Sequence, residues 1–431
     1  MTVGGLILTV GDSPEPIEFS LKQATPIYAC FLCTPQSRTH LDRIVAGAGL
    51  MPSRYQVFEV EDRPSEAARL AHQVIEAHRW LQGRGLRGEE IALDATGGRK
   101  WMSGAATLMA GALGLAMVYV EVKYREGWPD PATMQMVSLA NVVSQTGIVE
   151  AGRAVSLFNA GEFAAAATVF AGMTQRVADA DLRDLVGGLA DLSRLLERWD
   201  RFLHLREPLA DQLAAVRARL ARSRYLASKA TPLMERLGHL ATAAGALSQG
   251  GGPMVLADLV ANARRCQRRG RYDDTVARTY RALEATAQWI LQETYGLKTG
   301  AVLATAGNLK PTTLAALRGR HGGMLPNEIG LKEAWWILGL EGNPVAVSLG
   351  REMQPDWRFE PRLEGLLQSR NLSILAHGFA AVAEKAANDF LDTAERALRL
   401  AVGDARYDEL RVQVTFPELP ALFREDATAG G

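Results

Sequence analysis

Cysteine is scarce in this chain, and neither sign of charge is in excess. The 431 residues include three cysteines, which are too few for a disulfide framework. This excludes the small disulfide-stabilised secreted proteins and favours a reducing, cytoplasmic setting. Lysine plus arginine number 48, and aspartate plus glutamate also number 48. A uniformly basic coat for nucleic acid is therefore excluded, although a local basic patch remains compatible with this balance.

Long apolar runs are also few. Residues 101–120 form a stretch of twenty residues without a charge, which is long enough to span a bilayer. The stretch contains no Ile or Phe and is rich in Gly, Ala and Met, so we predict a buried helix followed by a buried strand. The first sixteen residues lack a basic segment, and we interpret them as the start of a strand rather than as a signal peptide.

Motifs for a metal or a resident cofactor are missing or misplaced. The seven histidines are scattered, without an H-E-x-x-H motif. Cys30 and Cys33 fall in a predicted strand, where residues three apart point to opposite faces. Residues 83–88 match G-x-G-x-x-G, but they precede a strand, whereas a dinucleotide motif follows one. We predict no metal site and no cofactor.

What the sequence does contain is an alternation of strands and helices over residues 1–145. A helical stretch covers residues 65–82, and six apolar runs are strand candidates: 6–10, 26–33, 56–60, 90–95, 115–122 and 134–140. Near-continuous apolar strands that alternate with helices indicate a doubly wound, Rossmann-like α/β domain with a mostly parallel sheet.

The remainder is predicted to be all-α, in two parts. Residues 146–250 form a helical connector, in which 151–173 are two short antiparallel helices that turn at 159–161. The glycine-rich segment 248–253 is the clearest linker. Residues 251–431 form a second helical domain, with 411–416 as a late short strand.

One loop has the composition of a phosphate site. Residues 94–100, Asp-Ala-Thr-Gly-Gly-Arg-Lys, lie between a predicted strand and a predicted helix. Glycines let the backbone approach a ligand closely, and the N–H groups of the following helix favour an anion. The predicted contacts are Thr96, Gly97, Gly98, Arg99 and Lys100. A purely structural tight turn is the alternative.

Two further loops are expected at the same edge of the sheet, because the carboxyl ends of parallel strands meet there. One follows the first strand and the other follows the second. Their candidate ligand contacts are Gly11, Asp12, Ser13, Thr34, Ser37 and Arg38. Each of these residues is also a common turn residue.

An arginine and a histidine form the most specific pair in the third part. Arg370 and His377 are seven residues apart, with Asn371 beside the arginine. On a helix they share one face, about 10 Å apart along the axis. A guanidinium suits a developing phosphate charge, and an imidazole suits proton transfer. Such a pair can cleave RNA without a metal, although it also occurs by chance in structural helices.

A third segment is strongly basic. Five arginines fall within the eight positions 264–271. Arg264, Arg265 and Arg268 are candidates for gripping an RNA backbone. The alternative is a solvated helix end whose arginines pair with Asp273, Asp274 and Glu284.

Several of these segments together resemble a known family. DATGGRKWMSGAA at 94–106 resembles the D-x-T-G-G-[TS]-K-x-M signature of CARF domains, the cyclic-oligonucleotide sensors of type III CRISPR systems. The segments 262–284 and 370–378 resemble the HEPN ribonuclease region of a CRISPR-associated CARF–HEPN family, and WDRFLHLRE at 199–207 is similar to its middle region. The resemblance covers nearly the whole chain.

The resemblance implies a cytoplasmic homodimer in antiviral defence. A cyclic tetra- or hexa-adenylate would bind across the CARF two-fold axis and allosterically activate cleavage of single-stranded RNA. Arg370 would stabilise the phosphate charge, His377 would handle the proton or the scissile phosphate, and Asn371 would orient them. Arg99 departs from the family pattern, which often has Thr or Ser there, and this change bears on ring size and on self-cleavage of the ring.

Two alternatives to an activated endoribonuclease remain open at this point. The first is a CARF sensor without nuclease activity, which binds a partner through its helical region. The second is a ring nuclease that degrades the cyclic oligoadenylate. A metal-dependent DNase and a transcription factor are disfavoured, because neither an acidic-x-Lys strand arrangement nor a clear helix-turn-helix is found.

Overall fold

The architecture is described from a computed structural model for residues 3–125, 128–207, 209–226, 229–250, 252–353, 367 and 379–423. The chain separates into two compact units. The first comprises Met1–Ala151 with Gln175–Ala180, and the second comprises Gly152–Thr174 with Asp181–Gly431. The boundaries of the three-part division made from the sequence stay a prediction.

The N-terminal unit is built on a six-stranded sheet. Its strands are β1 (Gly5–Thr9), β2 (Tyr28–Cys33), β3 (Tyr55–Glu59), β4 (Ile91–Asp94), β5 (Ala116–Glu121) and β8 (Gln135–Leu139), in the order β3-β2-β1-β4-β5-β8. All neighbours pair in parallel except β5 and β8, which are antiparallel. The short strands β6 (Tyr124–Arg125) and β7 (Trp128–Pro129) form a separate ribbon. All six predicted strands and the mostly parallel sheet are thus confirmed.

Helices cover both faces of this sheet. The helices of the unit are α1 (Glu15–Ala24), α2 (Pro35–Arg38), α3 (Leu41–Ala48), α4 (Ala67–Gly83), α5 (Lys100–Leu113) and α6 (Val142–Thr146). Helices α4 and α5 pack on the face that carries Ile7 and Cys30, and α1 and α3 on the face that carries Leu8 and Cys33. The two cysteines therefore point to opposite faces, as the strand period requires.

The uncharged stretch 101–120 is a helix followed by a strand, as predicted. It forms most of α5, turns at Gly114 and continues as β5. Within the described part of the chain, none of the helices has the length and apolarity needed to cross a bilayer.

The C-terminal unit is mostly helical. Its helices, counting α7 where the chain enters it, are α7 (Ile148–Asn159), α8 (Phe163–Met173), α9 (Ala180–Asp200), α10 (Ala210–Leu220), α11 (Ala230–Ser248), α12 (Gly252–Arg268), α13 (Tyr272–Tyr295), α14 (Val302–Thr305), α15 (Pro311–Arg320), α16 (Leu331–Leu340), α17 (Pro344–Met353), α18 (Glu384–Val402) and α19 (Asp404–Val414). The predicted hairpin of α7 and α8 is confirmed, and Gly161 turns it with a φ of 81°.

The prediction of a late strand at 411–416 is wrong. Helix α19 runs to Val414, and residues 415–423, called here the C-terminal strap, follow without regular structure up to a bend. Tyr407, Leu410 and Val414 are buried on one side of α19. Their spacing is helical, and it outweighs the short alternation of apolar and polar residues at the helix end.

Candidate functional site

The loops after β1 and β4 meet at the centre of the sheet. The sheet continues from β1 to β2 on one side and from β4 to β5 on the other. A doubly wound sheet binds its ligands at such a point of reversal. A Cβ atom on Gly11 would stand 2.5 Å from the backbone nitrogen of Gly98. Glycine at position 11 is therefore what allows the two loops to touch.

The loop after β4 is held in one conformation by its glycines and by two hydroxyls. Gly98 has a φ of 86°, in the left-handed region. A Cβ on Gly97 would clash with the carbonyl oxygen of Thr9. The hydroxyls of Thr9 and Ser103 donate to the Gly97 carbonyl at 2.6 and 2.9 Å. Gly11, Gly97 and Gly98, called here the glycine cradle, thus form a fixed backbone surface at the sheet edge.

Thr96 is used inside the fold. Its hydroxyl donates to Oδ1 of Asp94 and accepts the amide hydrogen of Val120 at 2.8 Å. Asp94 is 2% exposed. Burial raises the pKa of this carboxyl above its ordinary value, although hydroxyls of Ser20 and Thr96 and the Thr96 amide act against the shift. The Thr96 side chain therefore ties β4 to β5 beneath the cradle.

Thr34 and Ser37 also bond to each other. Thr34 caps the short helix α2: its hydroxyl accepts from the Ser37 amide at 3.3 Å, and the Ser37 hydroxyl accepts from the Thr34 amide at 3.0 Å. Both residues are buried. In this arrangement the two hydroxyls shape the turn after β2.

The predicted cations at the edge differ in their partners. Arg38 pairs with Glu59 at 2.8 Å, and Arg99 pairs with Asp62 at 2.8 Å. Lys100 begins α5, is exposed, and makes no ion pair within the described ranges. Asp12 and Ser13 are exposed beside the cradle.

The structure thus brings several predicted contacts to one edge. Backbone groups and the amino end of α5 form its surface, and Lys100 supplies an unpaired charge. Among the described residues, no group of three or more His, Cys, Asp or Glu is placed to hold a metal ion. Arg370, Asn371 and His377 lie outside the described residues, and their roles stay predictions.

The basic segment of the C-terminal unit is partly internal. Arg265 is 6% exposed, and its Nε donates to Asp200 at 2.7 Å. Arg269 donates to the other oxygen of Asp200 at 2.9 Å. Arg264 pairs with Glu395. Of the three predicted RNA contacts, Arg268 alone is exposed and free of ion pairs within the described chain.

Asp200 accepts both buried charges and has a lowered pKa. Burial alone would raise the pKa of this carboxyl, but Arg265 and Arg269 together hold it below its ordinary value. The Asn262 amide adds a hydrogen bond to Asp200 Oδ1 at 2.8 Å. The predicted partners Asp273 and Glu284 take no part in this cluster. Asp274 does pair, with Arg271 and Arg278.

A second buried carboxylate lies beside this cluster, and the sequence analysis missed it. Asp258 accepts from the Trp199 indole at 2.9 Å, and His204 Nε2 lies 2.9 Å from its other oxygen. The His204 ring stacks on Trp199, with centroids 4.7 Å apart. The available signal was an acidic residue within the apolar run VLADLV at 255–260, where a buried partner is required.

Comparison with known proteins identifies one family model within the chain. Residues 246–401 match the family model described as the Csm6 HEPN domain. A search of the curated proteins finds no match.

Two solved structures align with parts or most of the chain. Enterococcus italicus Csm6 bound to cyclic hexa-2'-fluoro-hexa-dAMP aligns over 95% of this chain and 98% of its own, with 11% identity and a TM-score of 0.50. Can2 from Sulfobacillus thermosulfidooxidans, in complex with cyclic tetra-adenylate, aligns over 46% of this chain and 68% of its own, with 14% identity and a TM-score of 0.24. The alignment with Csm6 confirms the predicted fold class, and the family match confirms the resemblance of the C-terminal region to HEPN domains.

Proposed function

We propose that this chain, whose residues 246–401 match the Csm6 HEPN domain, is a CARF–HEPN protein that functions as a cyclic-oligoadenylate-activated endoribonuclease. The family match carries this proposal, and the glycine cradle supports it from the other unit. The chain would act in type III CRISPR antiviral defence in the cytoplasm. Two copies would form a homodimer, with the ring bound across the two N-terminal units.

The activator would bind at the glycine cradle. Close-approaching backbone and the N–H groups at the start of α5 suit the phosphates of the ring. Lys100 would add a charge. Arg38 and Arg99 would exchange their carboxylates, Glu59 and Asp62, for ligand phosphates. These ion pairs are exposed, so each costs about 1 kcal/mol or less to open.

The cleavage would use Arg370 and His377 from each subunit. The 2'-hydroxyl of the RNA attacks the adjacent phosphorus, and the bond from phosphorus to the 5'-oxygen breaks. This leaves a 2',3'-cyclic phosphate and a 5'-hydroxyl. His377 transfers the proton, Arg370 stabilises the phosphate charge, and Asn371 orients them.

The test is RNA cleavage by the purified full-length protein. Labelled single-stranded RNA is incubated in EDTA with no ring, with cyclic tetra-adenylate or with cyclic hexa-adenylate. We expect cleavage with one ring only, and a loss of about 100-fold or more in Arg370→Ala and in His377→Ala. Arg406→Ala and His239→Ala are matched controls, because both side chains are exposed, on α19 and α11 of the C-terminal unit.

The alternatives give different outcomes. Unchanged cleavage in both Ala variants of the pair would contradict the proposed nuclease site. Ring binding without RNA cleavage would instead identify a sensor that lacks nuclease activity. Conversion of the ring to linear products by the wild-type protein would identify a ring nuclease. Chromatography separates these linear products from the RNA fragments.

A further inference from the structure

We propose that the C-terminal unit contains a second anion site, a cavity at Arg268 that takes one phosphate group. The cavity has a volume of about 150 Å³ and lies between the turn of the α7–α8 hairpin, the end of α12 and the C-terminal strap. Its wall includes Asn159, Arg265, Arg268, Phe416 and Glu418. All of these elements belong to one compact unit.

The cavity concentrates positive charge. Arg265, Arg268 and Arg269 all line it. Asp200 is shared by two of them, at 2.7 Å from Arg265 and 2.9 Å from Arg269. Arg268 has no carboxylate within ion-pair distance among the described residues. Partial desolvation of its guanidinium, together with the nearby charges of Arg265, Arg264 and Arg269, lowers its pKa, and Glu418 acts against the shift. Arg265 also lies 3.7 Å from Asp258. Asp200 and Asp258 can thus neutralise Arg265 and Arg269, and Arg268 is the third cation, without an ion-pair partner among the described residues.

The arginines are held in place before any ligand arrives. Gly161 leaves the space that the Arg269 guanidinium occupies, since a Cβ there would overlap it. The Arg265 guanidinium lies 3.8 Å from the centroid of the Phe416 ring. Nη2 of Arg265 and Nη2 of Arg269 are buried and have no hydrogen-bond acceptor in the described structure. A site with fixed donors binds an anion at little cost in side-chain ordering.

Size and lining favour a phosphate over a base. An enclosed cavity of this volume holds a ligand about as large as benzene. The cavity therefore takes one phosphate group, and the rest of a nucleotide would lie outside it. The rings of Phe163 and Phe416 already contact Arg269 and Arg265, and the Asn159 amide is bonded to Leu419. Groups that could read a base are thus occupied, and recognition would be independent of sequence.

The C-terminal strap fixes one wall of this cavity. Asn159 exchanges two hydrogen bonds with the backbone of Leu419, at 2.9 and 2.8 Å. The strap also carries Glu418, the one acidic residue in the cavity wall among the described residues. A carboxylate there opposes an anion. Neutralising Glu418 should therefore strengthen binding, and removing Arg268 should weaken it.

The first arm of the experiment measures inorganic phosphate binding to the full-length protein by calorimetry, without ring or RNA. We expect Arg268→Ala to weaken binding by about 10-fold or more, Arg268→Lys to keep part of it, and Glu418→Gln to strengthen it. Arg406→Ala is the matched control, because it removes an exposed arginine whose one ion-pair partner among the described residues is Glu409. Circular dichroism checks that each variant is folded.

The second arm identifies the source of the phosphate. A 2'-O-methyl oligonucleotide keeps the phosphodiesters of RNA but cannot be cleaved. If RNA supplies the group, Arg268→Ala should reduce the salt slope of oligonucleotide binding by about one; this arm alone depends on the proposed function. If free phosphate is the ligand, Arg268→Ala should weaken phosphate binding in the first arm and leave the salt slope of oligonucleotide binding unchanged.

Equal phosphate affinity in wild type, Arg268→Ala and Glu418→Gln would overturn the proposed site. The proposed site would also be overturned if chloride at the same ionic strength reproduced the differences between wild type and the variants. Because the first arm uses no activator and no cleavage, its result does not depend on whether the chain is a ribonuclease.

Discussion

Arginines serve opposite purposes in the two units. At the edge of the N-terminal sheet, Arg38 and Arg99 form ion pairs in which both partners are substantially exposed. In the C-terminal unit, Arg265 and Arg269 are 6% and 12% exposed in their side chains and share Asp200. An exposed pair contributes little and opens readily, whereas a buried charge that loses its partner is strongly destabilising. The first region can exchange its anion for a ligand, and the second holds the fold together.

The strongest test of this comparison is Asp200→Ala. It leaves the buried Arg269 without an ion-pair partner among the described residues and leaves Arg265 only Asp258, at 3.7 Å. We expect a loss of about 3–5 kcal/mol in the stability of the C-terminal unit. Urea denaturation with hydrogen exchange in α12 measures the change. The control is Asp191→Ala, whose carboxylate is 47% exposed and pairs with Arg194 and Arg219. A loss of stability as small as that in Asp191→Ala would show that the buried cluster does not stabilise the C-terminal unit.

The same carboxylate gives a pH dependence of known sign. Because the pKa of Asp200 is lower in the folded protein than its ordinary value of 3.8, its contribution to stability is present above that value. The contribution is lost as the pH falls through the folded pKa. The stability gap between wild type and Asp200→Asn should therefore shrink in acid, and a constant gap down to full acid unfolding would refute the assignment.

The next largest effect is expected at the glycine cradle. In Gly97→Ala the new methyl group meets the carbonyl oxygen of Thr9, which is backbone and cannot move aside. We expect a loss of about 3 kcal/mol in the N-terminal unit and loss of cyclic-oligoadenylate binding. Gly104→Ala is the matched control, because nothing lies within 4 Å of its Cβ position. Equal behaviour of the two variants would show that the cradle tolerates a side chain.

A smaller loss is expected from Thr96→Val. The substitution removes the Thr96 hydroxyl, the acceptor to which the Val120 amide donates at 2.8 Å. A buried unsatisfied donor costs about 1–2 kcal/mol, and hydrogen exchange at β5 reports it. Thr96→Ser keeps the hydroxyl and should retain most of the stability. If Thr96→Ser lost as much stability as Thr96→Val, the loss would be assigned to the methyl group of Thr96 instead of its hydroxyl.

The smallest effect on stability is expected from Glu59→Gln, at the exposed pair with Arg38. We expect a change below about 1 kcal/mol. The freed Arg38 should nevertheless increase affinity for a cyclic oligoadenylate, most clearly at low salt because screening is weakest there. A titration of ring binding against wild type measures this, and reduced affinity would indicate that Glu59 itself contacts the ligand.

Much of the N-terminal fold could be predicted from the sequence, because its strands are short apolar runs bounded by turns. The roles of single polar residues could not. Thr34 and Ser37 are typical ligand residues after a strand, but they bond to each other as a helix cap. The run 411–416 alternates like a strand, although Leu410 and Val414 are buried together in a helix. Six residues are too few to separate the two periods.

The sequence by itself determined the strand and helix order of the first unit, the helical nature of the second, and the glycine loop at residues 97 and 98. These depend on periodicity and on backbone freedom, which are local properties. Only the tertiary structure decided which charges are free. Arg265 and Arg268 are three residues apart, but one faces Asp200 inside the protein and the other is exposed. A charge is neutralised by whatever the fold brings beside it, and partners 65 residues apart along the chain leave no local trace in the sequence.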